Sequence, residues 1–242
     1  MANLKNTTIN DTSALQLPVG TTAERPGSPV DGYMRFNSEE SKVEYYSNGE
    51  WLFLPSGPNY EQGLVYTWYN TSSYYSSNSH PTSESALDNF FNSSLSGVSL
   101  GGSGNFSGSI NWGDNSQSGA GGTAGSKPSY LPGDGFSWMV EGYIYAPESG
   151  TYTFGCDGDD AMDVHVNGTR VAYWYDGHGF EGSWSGDPDQ ETGTISLQED
   201  TYYTFRARME EGSGGDGMQV GWKKPSDGSI SLIPSTNFFR EI

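Results

Sequence analysis

Four carboxylates crowd one short stretch of the chain, FGCDGDDAMDVHVNGT, at residues 154–169. Asp157, Asp159, Asp160 and Asp163 stand within seven residues of one another, and like charges this close repel. A sequence tolerates such crowding when the loop is fully solvated or when a cation lies among the carboxylates. Calcium suits the second case, because it accepts about six to eight oxygen ligands in flexible geometry.

A later Gly-rich stretch, MEEGSGGDGM, offers further oxygen ligands from Glu211 and Asp216. Separate loops at one end of a β-sandwich can together build such a site. We therefore predict a calcium site formed by Asp159, Asp160, Glu211 and Asp216. It is not an EF-hand, because DGDDAMDVHVNG has neither Gly at its sixth position nor Glu at its twelfth.

Other chemistries find weak support. GSGGDG at residues 212–217 fits G-x-G-x-x-G, yet it lies between two strand patterns instead of a strand and a helix. A glycosidase needs two carboxylates facing each other across a sugar, and neighbours on an ordinary strand point to opposite faces. That leaves distant partners such as Glu141 or Glu181. Three scattered histidines do not indicate a zinc site. We expect no enzymatic activity.

The composition indicates an all-β protein. The chain has 34 Gly, 16 Tyr and 7 Trp, and long runs at helical spacing are missing. From residue 135, segments such as FSWMVEGYIYAP, GTYTFGC and AMDVHVNGT alternate apolar and polar residues around turn sequences, and Asn167-Gly168 predicts a hairpin. We predict an antiparallel β-sandwich. The Ser/Gly/Asn-rich residues 92–129 are expected to pack partly as irregular strands, because Phe106, Ile110 and Trp112 interrupt them.

The formal net charge of −19 makes nucleic acid and anionic membrane surfaces poor partners. The single cysteine, Cys156, rules out an intrachain disulfide and is expected to be a small buried hydrophobe. The opening MANLKNTTIND lacks an apolar segment, so we expect no secretory signal, and no apolar run reaches transmembrane length.

A Pro/Gly cluster at residues 54–63 predicts a boundary between a first domain, 1–57, and a second domain, 58–242. In the first domain GYMRFN, KVEYYS and EWLFL read as a three-stranded meander with an Asn48-Gly49 turn. We expect one apolar face formed by Met34, Phe36, Val43, Tyr45, Trp51 and Phe53. Domains below about 40 residues bury little core, so other chains are expected to complete this one.

Residues 17–54 resemble a short module of tailed-bacteriophage fibre and structural proteins. The hallmarks are the L-P-x-G-T-T-x-x-R-P opening, the G-x-x-R-x-N strand and the closing N-G-x-W. The resemblance implies a virion component that attaches through this module to other virion proteins and forms a homotrimer.

Residues 63–239 resemble the PA-14 (protective-antigen) domain family. The resemblance rests on GYIYAPESGTYTFGCDGDDAMDVHVNGTRV, on GTISLQEDTYYTFRARMEEGSGGDGMQVGWKKP and on the flanking GLVYTWYN and LIPSTNFF. In lectin-type members a consecutive Asp pair, often joined by a cis peptide, binds calcium, and the calcium binds sugar hydroxyls. Asp159 and Asp160 correspond to that pair, while Glu211 stands near the position of a further Asn ligand. Other members keep the pair for structure alone, so both readings stay open.

Aromatic residues follow in WYDGHGFEGSW, where Trp174, Tyr175, His178 and Trp184 are candidates to bind carbohydrate by stacking. The first two equally suit the end of a core strand, and the last two are expected to be exposed. Together the observations predict a non-enzymatic virion surface protein whose outward β-sandwich binds host-surface or environmental glycans through calcium. The alternative is a purely structural decoration protein that stabilises the particle.

Overall fold

The computed structural model describes residues 16–54, 58–113, 118–119, 122–180, 184 and 192–242. The chain divides into two compact units, Met1–Gly57 and Pro58–Ile242. In these described segments no helix combines the length and the apolar character that crossing a bilayer requires.

The first unit contains a four-stranded sheet in the order β1 to β4: Val19–Gly20, Met34–Asn37, Lys42–Ser47 and Glu50–Phe53. The last three strands form the predicted antiparallel meander, and β1 adds to β2 in parallel. Asn48 and Gly49 have φ of 52° and 86°, as a tight hairpin turn between β3 and β4 requires.

The register of this hairpin corrects the predicted apolar face. Because the turn has two residues, Tyr45 lies opposite Leu52, and Glu44 lies opposite Phe53. Directly opposed residues share a face, so Trp51 and Phe53 belong to the other face of the sheet. The apolar face consists of Met34, Phe36, Val43, Tyr45 and Leu52, followed by Leu54 beyond the strand end.

Fifteen strands and two short α-helices form the described part of the second unit. The strands are β5 Tyr60–Gln62, β6 Leu64–Asn70, β7 Ser99–Phe106, β8 Asn111–Gly113, β9 Ser118–Gly119, β10 Gly122–Thr123, β11 Phe136–Ala146, β12 Gly150–Asp159, β13 Met162–Val166, β14 Thr169–Trp174, β15 Thr192–Leu197, β16 Thr201–Glu211, β17 Gly217–Lys223, β18 Ser231–Leu232 and β19 Phe238–Glu241; the helices are α1 Ser72–Asn78 and α2 Glu84–Asn89.

Two sheets enclose the core, which confirms the predicted all-β sandwich. The eight-stranded large sheet runs β14-β13-β16-β11-β19-β5, with β6 and β7 attached through β11. The five-stranded small sheet runs β15-β12-β17-β18, with β8 paired to β17. Alternate residues of the long strands point inward and are fully buried between the sheets: Trp138, Val140 and Ile144 on β11, Tyr152 and Phe154 on β12, and Ala207 and Met209 on β16. Cys156 is buried in the same core.

Part of the Gly-rich segment packs as strands, as predicted. Strand β7 pairs with β6 across a bulge at Trp68. The indole of Trp68 lies over Gly101, where an added Cβ would stand 2.4 Å from the ring, so only glycine fits. Ile110 and Trp112 enter the core. Residues 114–117 and 120–121 of the segment lie outside the described residues.

Candidate functional site

The acidic residues meet at one end of the sandwich because three strand ends converge there. Strand β12 of the small sheet ends at Asp159, which pairs with Gly217 at the start of β17. Strand β16 of the large sheet ends at Glu211. Backbone hydrogen bonds link the two sheets at this point, from the Asp160 amide to Glu210 O at 3.0 Å and from the Glu210 amide to Ala161 O at 2.8 Å.

Asp159, Asp160 and Glu211 form a compact carboxylate cluster. One oxygen from each lies within 4.8 Å of the others. The peptide bond between Asp159 and Asp160 is cis. Two oxygens on opposite sides of one Ca²⁺ lie at most about 5 Å apart, since each Ca–O distance is about 2.3–2.6 Å. Three of the four predicted metal ligands are therefore spaced as a single calcium ion requires.

The fourth predicted ligand, Asp216, stands close enough for its charge to raise the pKa of Glu211. However, Lys127 Nζ contacts Asp216 Oδ2 and also donates to Pro132 O at 2.9 Å. The lysine thereby supplies a protein-borne cation next to Asp216, and Asp216 does not belong to the three-residue cluster. Sequence reasoning missed Lys127, because it lies 89 residues away along the chain.

Asp160 has a full set of donors. Its Oδ1 accepts from the His178 amide at 3.1 Å, and its Oδ2 accepts from the Gly212 amide at 3.1 Å. His80 Nδ1 lies 3.3 Å from Asp160 Oδ2 and 3.2 Å from Glu210 Oε2. The hydrogen bond to Glu210 raises the pKa of His80 above its usual value, against the opposing effect of burial. His80 is a second residue that sequence reasoning missed; it had been set aside because the histidines are scattered.

Glu211 differs from Asp160 because no described residue donates to it. Its side chain is fully buried, and neither carboxylate oxygen has a hydrogen-bond partner among the described residues. Burial raises the pKa of Glu211 to about 10, with further contributions from Asp160 and Asp159. Burial and the Asp160 charge likewise raise the pKa of Asp159 to about 7. Buried carboxylates normally have partners, so an oxygen-binding cation fits this donor set.

The four aromatic candidates do not share one surface. Trp174 stacks obliquely on His178, with ring centroids 5.1 Å apart. His178 lies beside the cluster and donates from Nδ1 to Gly158 O at 2.8 Å. Tyr175 instead points to the outer face of the large sheet, where its hydroxyl donates to Asp163 Oδ2 at 3.0 Å.

The expected exposure of His178 and Trp184 is wrong. The His178 side chain is 7% exposed, and Trp184 as a residue is also 7% exposed. The Trp184 ring packs on the small sheet over Gly221, where an added Cβ would stand 2.7 Å from Cζ2. Gly221 on β17 provides the room for this ring, and local sequence does not reveal that the two residues are in contact.

Glu141, one of the two distant carboxylates considered as catalytic partners, does not join the cluster. Glu141 lines a separate cavity on the large sheet together with His165 and Arg206. Glu181 lies outside the described residues. The geometry of the described residues therefore offers a cation site at Asp159, Asp160 and Glu211, and Glu141 is not part of it.

Comparisons with known proteins agree with this architecture. A family profile described as "PA14 domain" matches residues 61–236. A solved structure of an anti-sigma factor domain-containing protein is similar with a TM-score of 0.51 and 15% identity, covering 75% of this chain; the chain spans about half of that protein, 49%. No curated protein matches the chain in sequence.

Two further structures come from adhesins. The Epithelial Adhesin 9 A domain of Candida glabrata, in complex with Galβ1-3GlcNAc, has a TM-score of 0.55 and 20% identity, covering 77% of this chain and 93% of that one. The PA14 sugar-binding domain from an RTX adhesin has a TM-score of 0.50 and 18% identity, covering 74% and 98%. At these identities the likeness concerns the fold.

Proposed function

The chain belongs to the PA14 domain family, and from that premise we propose that its second unit is a calcium-dependent carbohydrate-binding module. Asp159, Asp160 and Glu211 would hold the ion, and sugar hydroxyls would complete its ligands. The observation that carries the proposal is the buried Glu211 carboxylate, which lacks a donor on either oxygen among the described residues. Backbone amides donate to both oxygens of Asp160 without any ion, whereas no described residue donates to Glu211.

Several observations support carbohydrate as the ligand. The family profile covers the cluster, and two structural neighbours are named as sugar-bound or sugar-binding domains. Asp159 and Asp160 retain 8% and 6% exposure, so the ion would have an open side. Trp174, which is half-buried and packs against His178, is the candidate contact for a sugar ring. We propose binding and no catalysis.

We expect the full chain to be retained on a host polysaccharide column in calcium and released by chelator. Asp160→Asn should lose retention, because it weakens the ion site while preserving side-chain size. The matched control is Asp227→Asn, a carboxylate bound to Lys224 and absent from the cluster. On a polysaccharide without acidic sugars, retention that survives both chelator and Asp160→Asn would contradict the calcium-dependent mechanism.

For the first unit we propose a role in attachment to a tailed-phage particle and in homotrimer formation, which would place the protein on the virion surface. The resemblance of residues 17–54 to phage structural modules supports this. So does the inverted burial of the unit: Glu44 is fully buried among Arg25, Arg35 and Asn37, while Met34, Leu52 and Leu54 on the apolar face are 44%, 38% and 41% exposed.

We expect Leu52→Glu to shift the full chain from trimer towards monomer in sedimentation velocity, because a charge would replace an apolar contact at the subunit interface. Leu100→Glu is the matched control, since Leu100 is 60% exposed and belongs to the second unit. An unchanged sedimentation coefficient for Leu52→Glu would exclude the apolar face as the interface.

The second candidate is a purely structural decoration protein. The backbone donors on both oxygens of Asp160 favour it, since they show how the Asp pair can brace the loop without an ion. This alternative predicts no retention on any polysaccharide and a loss of particle stability when the protein is absent.

A further inference from the structure

The cavity on the large sheet that Glu141 lines shares no described residue with the carboxylate cluster. It has a volume of about 550 Å³, within the range of about 300–1,000 Å³ typical of small-molecule sites. The lining comes from β11, β13 and β16, the turn after β13 and the start of α2: Glu84, Glu141, Gly142, Tyr143, His165, Gly168, Thr204, Phe205 and Arg206.

Arg206 occupies the middle of a charged row across three strands. Strand register places it opposite Glu141 on β11 and opposite His165 on β13. Arg206 is half-buried, and its Nε is buried without a hydrogen-bond acceptor in the described part of the chain. A buried guanidinium donor is normally satisfied by the protein, by water or by a ligand.

The other arginines of the described segments all contact carboxylates. Arg25 and Arg35 contact Glu44, Arg170 contacts Glu84, Arg208 contacts Asp163 and Asp88, and Arg240 contacts Glu61. Arg206 makes no such ion pair within those segments, although the chain has 30 acidic residues and only 11 Lys and Arg. The row thus leaves a guanidinium available inside a cavity.

The surrounding groups restrict what this guanidinium can bind. A guanidinium matches the planar fork of a carboxylate and donates two parallel hydrogen bonds to it. Glu84 and Glu141 would repel a multiply charged anion such as phosphate. Glu141 can accept hydrogen bonds from hydroxyl groups, and Thr204 and His165 add further polar contacts. The lining therefore favours a singly charged ligand that is rich in hydroxyls.

We propose that this cavity binds an acidic monosaccharide unit, with the sugar carboxylate on Arg206 and ring hydroxyls on Glu141 and His165. This site is independent of calcium and of the carboxylate cluster. It would give the second unit a preference for uronic-acid-containing polysaccharides, whatever the cluster itself binds.

The test is calorimetric titration of the full chain with glucuronate in chelator, with glucose and acetate as matched probes. We expect glucuronate to bind and both probes to bind at least about tenfold more weakly, because each lacks one half of the recognised chemistry. Arg206→Gln should weaken glucuronate binding about ten- to a hundredfold. Arg206→Lys should give an intermediate loss, since it keeps the charge without the fork.

Two controls separate this site from the cluster. Arg240→Gln should leave glucuronate affinity unchanged, and so should Asp159→Asn combined with Asp160→Asn; melting curves establish that each variant is folded. Equal binding of glucose or acetate, no measurable glucuronate binding, or unchanged affinity in folded Arg206→Gln would each overturn the proposal. If wild type shows no calcium-dependent retention but binds glucuronate, the result would count against the cluster's role alone.

Discussion

Calcium is expected to raise the thermal stability of the full chain, and Asp159→Asn combined with Asp160→Asn is expected to abolish that rise. A ligand that binds only the folded state stabilises it by about 2.7 kcal/mol at a hundredfold excess over its Kd. The cluster of three carboxylates exists only in the folded chain, because strand ends from two different sheets bring its members together. Melting curves in calcium and in chelator measure the effect.

Glu211→Gln gives a sharper form of the same test. In chelator, the pKa of Glu211 in the folded chain is raised to about 10, above an unfolded value of about 4.3. The folded state therefore loses stability as the pH rises through this interval, and the raised pKa of Asp159, at about 7, acts in the same direction. Glutamine does not titrate, so Glu211→Gln should weaken this pH dependence.

The variant should thus have opposite effects in the two conditions. In chelator at alkaline pH, Glu211→Gln should melt at or above the wild-type temperature, because no buried charge forms. In calcium it should melt below wild type, because one ligand is lost. Asp227→Asn, outside the cluster, should preserve the calcium shift. Equal calcium shifts in wild type and in the Asp159/Asp160 double variant would remove the ion from the proposed mechanism.

The second large effect concerns Arg208 and Asp163 on the outer face of the large sheet. Arg208 donates to both oxygens of the fully buried Asp163, from Nε at 2.7 Å and from Nη2 at 2.9 Å. Arg208→Met should destabilise the chain by about 3–5 kcal/mol, because it leaves a buried carboxylate without its cation. Urea unfolding measures the loss.

Arg240→Met is the matched control, since Arg240 pairs with the half-exposed Glu61. Exposed pairs contribute about 0–1 kcal/mol. A further variant, Arg208→Met with Asp163→Leu, should recover part of the loss, because replacing a whole buried pair by apolar residues is often tolerated. Equal costs for Arg208→Met and Arg240→Met would show that the buried pair contributes no more than a surface one.

The Arg208–Asp163 pair also makes the stability of the folded chain depend on pH in the acid range. Burial alone would raise the pKa of Asp163, but the nearby His165 and the hydrogen bonds from Arg208 outweigh it and lower the pKa to about 2. A depressed folded pKa contributes stability above the unfolded value, about 3.9, and that stability disappears as the pH falls towards 2. Asp163→Leu in the Arg208→Met background should therefore lose less stability between pH 4 and pH 2 than wild type.

Local sequence determined much of this architecture. Alternation within β11 to β17 and the Asn-Gly turns at residues 48–49 and 167–168 predict strands and hairpins, because side-chain period and turn backbone angles depend on adjacent residues. The crowding of Asp159 and Asp160, with Glu211 at a later Gly-rich stretch, likewise identifies three members of the cluster. Such signals depend only on neighbouring residues, so they can be interpreted without knowledge of the rest of the chain.

Tertiary structure alone decided how these groups are partnered. His80 reaches Glu210 across 130 residues, and Lys127 reaches Asp216 across 89. The burial of Trp184 over Gly221 and the unpaired Arg206 between Glu141 and His165 depend on packing and on strand register. Register and long-range packing arise from contacts between distant segments. Local patterns could therefore identify the carboxylates. Only the tertiary structure determines which of them contact a lysine, arginine or histidine side chain.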